Sequence, residues 1–150
     1  MFREPMLVPP GTGVSWRVLG GDIITCKATA RETGGTFSLF ETITPPRCGP
    51  PPHVHHREDE LFYIVDGTFE FYVEGKTIRA ETGATVLAPR DIPHRFQNVG
   101  DTPGKLLILV QPGGVENFFA EFAQFDPDAH PDLDSVKAVA LKYGMEILLP

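Results

Sequence analysis

Four side chains in two separate segments of this 150-residue chain have the types and spacing of a metal site. The first segment contains His53 and His55, followed by Glu60. The second contains His94, which comes directly after a proline-bounded turn. Imidazole nitrogens and carboxylate oxygens that converge are suitable ligands for a divalent transition metal. If the fold brings the two segments together, these residue types predict a metal centre.

Two strands joined by a polar turn would position the first three of these side chains. Residues two apart share one face of a strand, so His53 and His55 point the same way and His56 points oppositely. Glu60 opens the apolar run ELFYIV and shares a face with its alternate residues. The polar residues 56–59 between the two strands form the turn that brings Glu60 beside the histidine pair.

Short β-type runs separated by turn residues fill the middle of the chain. The run TFEFYVEG alternates apolar with polar residues, which is typical of a strand with one buried face. Turn-forming pairs such as Asp66-Gly67 and Thr82-Gly83 separate the runs, and no helical pattern lies between them. This spacing predicts an all-β sandwich or barrel and excludes βαβ units.

The pattern becomes helical after Pro112. Val115, Phe118, Phe119 and Phe122 lie on one helical face, which would cover a face or mouth of the barrel. A second helix is predicted over 135–143, with Asp134 as its N-cap and Gly144 just after its end. We therefore expect an N-terminal arm at 1–13, a β barrel at 14–112, and a helical tail at 113–150 packed on the barrel.

Charge and composition exclude several classes of protein. Thirteen basic and 20 acidic residues give a net charge of -7, which argues against nucleic acid and anionic membrane surfaces as partners. The N-terminus does not have the pattern of a secretory signal, and the longest aliphatic run, LLILV, is far too short to span a membrane. Two cysteines, Cys26 and Cys48, form neither a CxxC motif nor a disulfide framework, although a single bridge between them stays open. These features predict a cytoplasmic protein.

Two motifs in the chain resemble those of the cupin superfamily. The first is a His-x-His pair, four further residues, a Glu, six residues and a Gly, here His53 to Gly67. The second is a Gly, five residues, a Pro, four residues, a His, three residues and an Asn, here Gly83 to Asn98. Two residues depart from the family pattern, because Arg47 and Asp91 stand where glycine is usual.

The resemblance implies both a fold and a ligand set. The fold would be a double-stranded β-helix, or jelly-roll, cupin barrel with a short C-terminal helical tail. The four side chains His53, His55, Glu60 and His94 would bind one divalent transition metal, which could be Fe, Mn, Ni, Co, Cu or Zn. Glu60 would also act as a catalytic base. Family resemblance further implies a homodimer.

The chain also resembles small single-domain cupins that include quercetinase-like dioxygenases. The resembling features are the arm with Trp16, the run GDIITCKATARETGGTFSLFETITPP and the Phe-Phe helix after the last strand. They imply a dioxygenase acting on an enol-bearing or polyhydroxy-aromatic, flavonol-like small molecule. Two alternatives stay open: a non-redox cupin such as an isomerase or sugar-modifying enzyme, and a metal-loaded binding module without turnover.

Other polar and aromatic residues have simpler interpretations. We expect Glu58 and Asp59 to be solvated acids of the turn, and His56 to be a supporting or surface residue. His130 lies in a loop. Phe40, Phe62, Phe71 and Phe96 belong first to the core, and some of them would line a pocket for the small-molecule substrate.

Overall fold

The computed structural model describes residues 4–150, so that residues 1–3 of the predicted arm lie outside the described residues. Within the described part the chain forms β-strands for most of its length, interrupted by one short helix and followed by two longer ones. The elements are β1 (Val14–Arg17), β2 (Ile23–Ala28), α1 (Ala30–Thr33), β3 (Ser38–Thr44), β4 (His53–His55), β5 (Asp59–Asp66), β6 (Thr68–Val73), β7 (Lys76–Glu81), β8 (Thr85–Ala88), β9 (His94–Asn98), β10 (Gly104–Gln111), α2 (Glu116–Phe122), α3 (Leu133–Lys142) and β11 (Met145–Ile147).

Two antiparallel sheets enclose the core. One sheet has the strand order β1-β2-β3-β10-β5-β8, and the other has the order β11-β4-β9-β6-β7. Strands that are distant in sequence lie side by side, as β10 does between β3 and β5. This arrangement confirms the predicted all-β jelly-roll architecture. No helix in the described residues is both long and apolar enough to cross a bilayer.

Alternation of side chains along the strands separates the core from the surface. In β5, Phe62 and Ile64 are 1% and 0% exposed, whereas Leu61 and Tyr63, which point to the other face, are 41% and 43% exposed. Phenylalanines from both sheets meet between the layers; the ring centroids of Phe62 and Phe71 lie 5.0 Å apart. The period-two pattern of the sequence therefore predicts the inward face correctly.

The C-terminal segment contains the two predicted helices and one strand that the sequence did not indicate. Helix α3 begins at Leu133, two residues before the expected start, because Asp132 rather than Asp134 caps it: its carboxylate accepts hydrogen bonds from the backbone N–H groups of Asp134 and Ser135. After α3 the chain returns as β11, which pairs with β4 in the second sheet. The segment thus contributes to the barrel as well as covering it.

Candidate metal centre

The structure brings the four predicted side chains to one point between the two sheets. His53 and His55 lie on β4 and His94 on the neighbouring β9, and the register places His53 directly opposite His94. Glu60 reaches the same point from β5 in the facing sheet. One donor atom from each residue lies within 4.8 Å of all the others. The interdigitation of the two sheets therefore assembles the site from two segments.

This cluster is largely removed from solvent. His55 and His94 are each 3% exposed and Glu60 is 6% exposed, whereas His53 is half-buried. The imidazole rings are close together, with centroids 4.5 Å apart for His53 and His94 and 5.7 Å apart for His55 and His94. Interactions between charges are stronger at such a place than at the surface, because water screens them less.

Hydrogen bonds orient all three imidazoles in the same sense. Nδ1 of His53 lies 2.8 Å from the carbonyl oxygen of Pro51, and Nδ1 of His94 lies 3.0 Å from that of Ile92. A carbonyl oxygen only accepts, so each Nδ1 carries the proton and donates it. Nδ1 of His55 lies 3.3 Å from the carboxylate of Glu58. The Nε2 atoms are therefore left to face the centre, as in metal sites whose histidines are held from behind.

The Glu60 carboxylate sits among these Nε2 atoms. Its Oε2 lies 2.6 Å from Nε2 of His94 and 3.3 Å from Nε2 of His55. Burial raises the pKa of the Glu60 carboxyl, but the facing imidazoles outweigh burial and lower this pKa to about 2. Burial, reinforced by the neighbouring histidines, lowers the pKa of His53 to about 3. At neutral pH, Glu60 is thus ionised and His53 neutral, which are the forms that bind metals.

His94 behaves differently from His53 because it contacts the carboxylate directly. Burial acts to lower the pKa of His94, but the hydrogen bond and the charge of Glu60 outweigh it and raise the pKa. Without a cation, the short contact requires a proton between Nε2 of His94 and Oε2 of Glu60. If a divalent cation bound here, both atoms would serve as ligands and that proton would be lost to solvent, as expected when metal binding couples to proton binding.

The donor set fits a divalent transition ion. Ligand bonds of about 2.0–2.2 Å place two donors on opposite sides of an ion at most about 4.4 Å apart. The largest donor separation here, 4.8 Å, exceeds that value only slightly. Adjustments of a few tenths of an ångström, of the kind that side-chain rotation provides, would close the site around one ion. Three imidazoles and one carboxylate are compatible with each of the metals considered from the sequence.

The two departures from the family motifs both adopt the backbone conformation that glycine usually supplies. Arg47 and Asp91 each have a φ of 65°. The backbone N–H of Asp91 donates to the carbonyl oxygen of His55 at 2.8 Å, which fixes the turn before β9 against β4. Arg47 donates its backbone N–H to the carbonyl oxygen of Asn98 at 2.9 Å. Both substitutions therefore keep the turns that position the histidines.

The prediction that Glu58 is a solvated turn acid is wrong. Glu58 is 7% exposed, and its carboxylate is the group that faces Nδ1 of His55. Asp59, in contrast, forms a partly exposed ion pair with Arg90 at 3.0 Å. The sequence carried a usable signal for Glu58, because it follows a candidate ligand by three residues across a tight turn. His56 points away from the cluster, as expected, and contacts Asp91 and Glu146.

An apolar pocket adjoins the cluster. Phe62 and Phe96 line it from the two sheets, and the α2 side chains Phe118, Phe119 and Phe122 close it on the helical side. The helical face predicted from the sequence therefore covers the mouth of the barrel. Phe40 and Phe71 are buried in the core but are not among the lining residues.

Two polar residues that the sequence did not single out also line this pocket. Asp22, directly before β2, is 2% exposed, and Thr42 on β3 is fully buried. Only its position next to an apolar strand distinguishes Asp22 in the sequence from an ordinary loop acid. The two cysteines are free. Burial raises the pKa of the Cys26 thiol, and the charges of Glu116 and Glu32 add to this, so that the pKa is about 11. Such a thiol is not ionised at neutral pH, which argues against thiol chemistry.

Sequence comparison places the chain among known proteins. Residues 39–110 match the family described as "Cupin domain". The chain is 29% identical to the polyketide synthase CurC of Streptomyces cyaneus over 127 residues, which cover 83% of this chain and 79% of CurC. It is 30% identical to the protein SchB of Streptomyces halstedii over 107 residues, or 70% of this chain and 72% of SchB. It is 29% identical to the quercetin 2,3-dioxygenase of Aspergillus japonicus over 98 residues, which cover 61% of this chain but only 28% of that enzyme.

Solved structures share the fold at lower sequence identity. A predicted oxalate decarboxylase from Thermotoga maritima superposes with a TM-score of 0.68 at 19% identity, covering 71% of this chain and 99% of that structure. The polyketide cyclase RemF from Streptomyces resistomycificus gives a TM-score of 0.62 at 21% identity, covering 72% of this chain and 80% of RemF. Together with the motifs and the two-sheet barrel, the matches to the domain family and to SchB establish that this chain belongs to the cupin family.

Proposed function

We propose that this protein is a metal-dependent cupin dioxygenase that acts on an enol-bearing or polyhydroxy-aromatic, flavonol-like molecule. The observation that carries the proposal is the position of the cluster of three histidines and Glu60 at the wall of an aromatic pocket. Ligand pockets are mostly apolar with a few converging polar groups, and this pocket has that composition.

The pocket favours a flat, uncharged substrate. Phenylalanines line it from both sheets and from α2, and ring faces and edges bind aromatic ligands well. Among the described residues that line it, there is no lysine or arginine. Away from the metal cluster, a phosphate or carboxylate group would have no counter-charge in such a pocket and would carry a high desolvation cost. This argues against a phosphorylated sugar whose phosphate lies away from the metal.

His53, His55, Glu60 and His94 would hold the metal ion. A divalent ion at this position would polarise an enol oxygen and, if redox-active, support the reaction of the enol with dioxygen. The three Nδ1 hydrogen bonds keep each imidazole in the tautomer that leaves Nε2 free. The aromatic side chains of α2 exclude water from the mouth of the pocket.

Glu60 is the proposed proton acceptor. Its Oε2 is the carboxylate oxygen closest to the donor atoms of the cluster, so it lies where a bound enol hydroxyl would arrive. A carboxyl whose pKa is about 2 is a weak base. It can accept the proton only from an enol that the charge of the metal ion has made more acidic. The role of Glu60 as proton acceptor therefore depends on its role as a metal ligand.

Oxygen consumption tests the proposal directly. Protein loaded separately with Fe(II), Mn(II), Ni(II), Co(II) or Cu(II) is mixed anaerobically with quercetin, and binding is followed by quenching of Trp16, which stacks against Phe119 with ring centroids 6.4 Å apart. Air is then admitted. We expect oxygen uptake with at least one metal and its loss in the His94→Ala variant. If neither quercetin nor a related enediol consumes oxygen with any of these metals, the dioxygenase proposal is wrong.

A non-redox reaction on an enolic polyketide is the second candidate. The observation that favours it is that the polyketide synthase CurC aligns with 83% of this chain, whereas the quercetin dioxygenase aligns with 61%. The same ligands and the same apolar pocket would serve it, with a redox-silent ion such as Zn(II). Turnover in the zinc-loaded protein, giving a product without added oxygen mass, would favour this candidate. A slowly exchanging ligand without any product would instead indicate a binding module.

We also propose that the protein is a homodimer. Leu61, Tyr63 and Leu87 expose apolar surface on the outer face of β5 and the edge strand β8, with Leu87 57% exposed. Exposed apolar patches of this kind are typical of contact surfaces. We expect sedimentation at micromolar concentration to show a dimer and Leu87→Lys to weaken it; a monomer in the unmodified protein would contradict the proposal.

A further inference from the structure

The pocket contains polar groups at two separate places. One is the metal cluster, represented in the lining by His53, His55 and Glu60. The other consists of Asp22 and Thr42, and the remaining described lining residues are apolar. A largely apolar pocket with two polar positions can orient a ligand from both ends.

The second position is buried and incompletely hydrogen-bonded. Asp22 is 2% exposed and Thr42 is fully buried. Within the described part of the chain, neither Oδ1 of Asp22 nor the hydroxyl oxygen of Thr42 has a hydrogen-bond partner. The neighbouring Thr44 hydroxyl also lies near the Asp22 carboxyl but outside hydrogen-bonding geometry. Buried polar side chains nearly always have partners, because leaving them unpaired is costly.

Strand register places this position well away from the cluster. Glu60 pairs with Val110 of β10. Thr42 pairs with Leu106 of β10, which pairs on its other side with Ile64. This second row of paired residues therefore crosses β5 four residues beyond Glu60. At a rise of about 3.3 Å per residue, the two rows are roughly 13 Å apart along the strand. Phe62 and Ile108, in the row between, form the apolar wall that connects the two positions.

We infer that Asp22 and Thr42 form a second binding position in the pocket, which binds a hydroxyl group at the end of the substrate remote from the metal cluster. The inference rests on the proposed function only for the reaction at the metal cluster, where the other end of the substrate would lie. It specifies the substrate class further: an uncharged aromatic compound with an enol at one end and a hydroxyl at the other.

The chemistry of Asp22 suits a hydroxyl better than a charged group. Burial raises the pKa of the Asp22 carboxyl to about 7, and the nearby Thr44 hydroxyl opposes this rise only in part. Near neutral pH a large fraction of the carboxyl is therefore protonated and can donate as well as accept. Thr42 also both donates and accepts. An alcohol or phenol matches these two groups, whereas an anion would be repelled by the ionised fraction of Asp22.

Size-matched probes test this position without any enol chemistry. Phenol and toluene differ only in a hydroxyl and a methyl group, and their affinities for the zinc-loaded protein are measured by ligand-observed NMR titration. We expect Thr42→Val and Asp22→Leu each to weaken phenol binding relative to toluene by about tenfold, the usual effect of losing one buried hydrogen bond. Thr42→Ser, which keeps the hydroxyl, should retain the unmodified ratio. Thr42→Val preserves side-chain shape, so the test stands even if Asp22→Leu does not fold.

Each outcome decides the inference. An unchanged phenol-to-toluene ratio in Thr42→Val, or an unmodified protein that does not bind phenol, would overturn it. Phenol bound only at the zinc ion would give such an unchanged ratio. If the ratio changes as expected but quercetin and related enediols consume no oxygen, the second binding position stands and the dioxygenase proposal fails.

Discussion

Replacing Asp22 by Asn should change how the stability of the protein depends on pH. The carboxyl lies buried at the pocket wall, and burial raises its pKa from 3.8 to about 7. Folding therefore disfavours the ionised form. Below pH 3.8 both the folded and the unfolded protein carry the proton, so there is no penalty. As the pH rises towards 7, the unfolded chain ionises first and the folded state loses stability relative to it; above pH 7 the loss is constant.

The size of the effect follows from the difference between the two pKa values. One pH unit corresponds to about 1.4 kcal/mol, so the interval from 3.8 to about 7 amounts to about 4 kcal/mol. About 3 kcal/mol of this loss of stability takes place between pH 5 and pH 8. Asn has a similar shape and does not titrate. We therefore expect the free energy of unfolding of the unmodified protein to fall by about 3 kcal/mol relative to Asp22→Asn over that range.

Urea unfolding at pH 5, 6, 7 and 8 measures this difference. Both proteins are saturated with zinc, so that the pH dependence of the metal cluster is common to them and cancels. Asp66→Asn is the matched control, because it makes the same substitution at an exposed carboxyl at the end of β5. A difference between Asp22→Asn and the unmodified protein that stays constant from pH 5 to pH 8 would refute the reasoning about burial.

Three further substitutions test how the surrounding chain holds the site. Glu58→Gln should weaken zinc binding by about tenfold or more, because it loses the carboxylate that orients His55; an unchanged affinity in a chelator competition would show that the contact has no influence. Glu116→Ala removes the carboxylate that accepts hydrogen bonds from the backbone N–H of Ala30 at 2.8 Å and the hydroxyl of Ser38 at 2.6 Å. It should lower the free energy of unfolding by about 2 kcal/mol, and a loss below about 0.5 kcal/mol in urea unfolding would contradict this. Gly49→Ala would place a Cβ 2.1 Å from the carbonyl oxygen of Phe96, so we expect the melting temperature and the zinc affinity to fall together. If neither falls, the segment before β4 can move away from β9 freely, which would contradict this expectation.

The sequence predicted the parts of the fold and site that depend on local pattern. Alternation along β5 identified the inward face that carries Glu60, and the spacing of the two motifs identified the ligand set that the sheets bring together. These predictions succeed because side-chain direction in a strand follows directly from position. Turn positions tolerated change as well: Asp91 takes the left-handed conformation in place of glycine.

What the sequence did not predict depends on contacts between distant segments. Strand β11 is only three residues long and pairs with β4 from the far end of the chain, so no local pattern marks it. Glu58 looks like a turn acid until the fold places it behind His55. Asp22 and Thr42 acquire their significance only because the fold places them at the wall of the pocket. Burial of a polar residue is a property of the packed structure, and composition does not reveal it.

Metal stoichiometry tests the central claim most directly. The protein is loaded with zinc, desalted and analysed for metal content per chain, alongside His94→Ala and the control His130→Ala, which changes an exposed loop histidine. If His53, His55, Glu60 and His94 bind one ion together, the unmodified protein and His130→Ala will retain one zinc per chain, and His94→Ala will lose most of it. Retention of a full equivalent by His94→Ala, or none by the unmodified protein, would contradict the account.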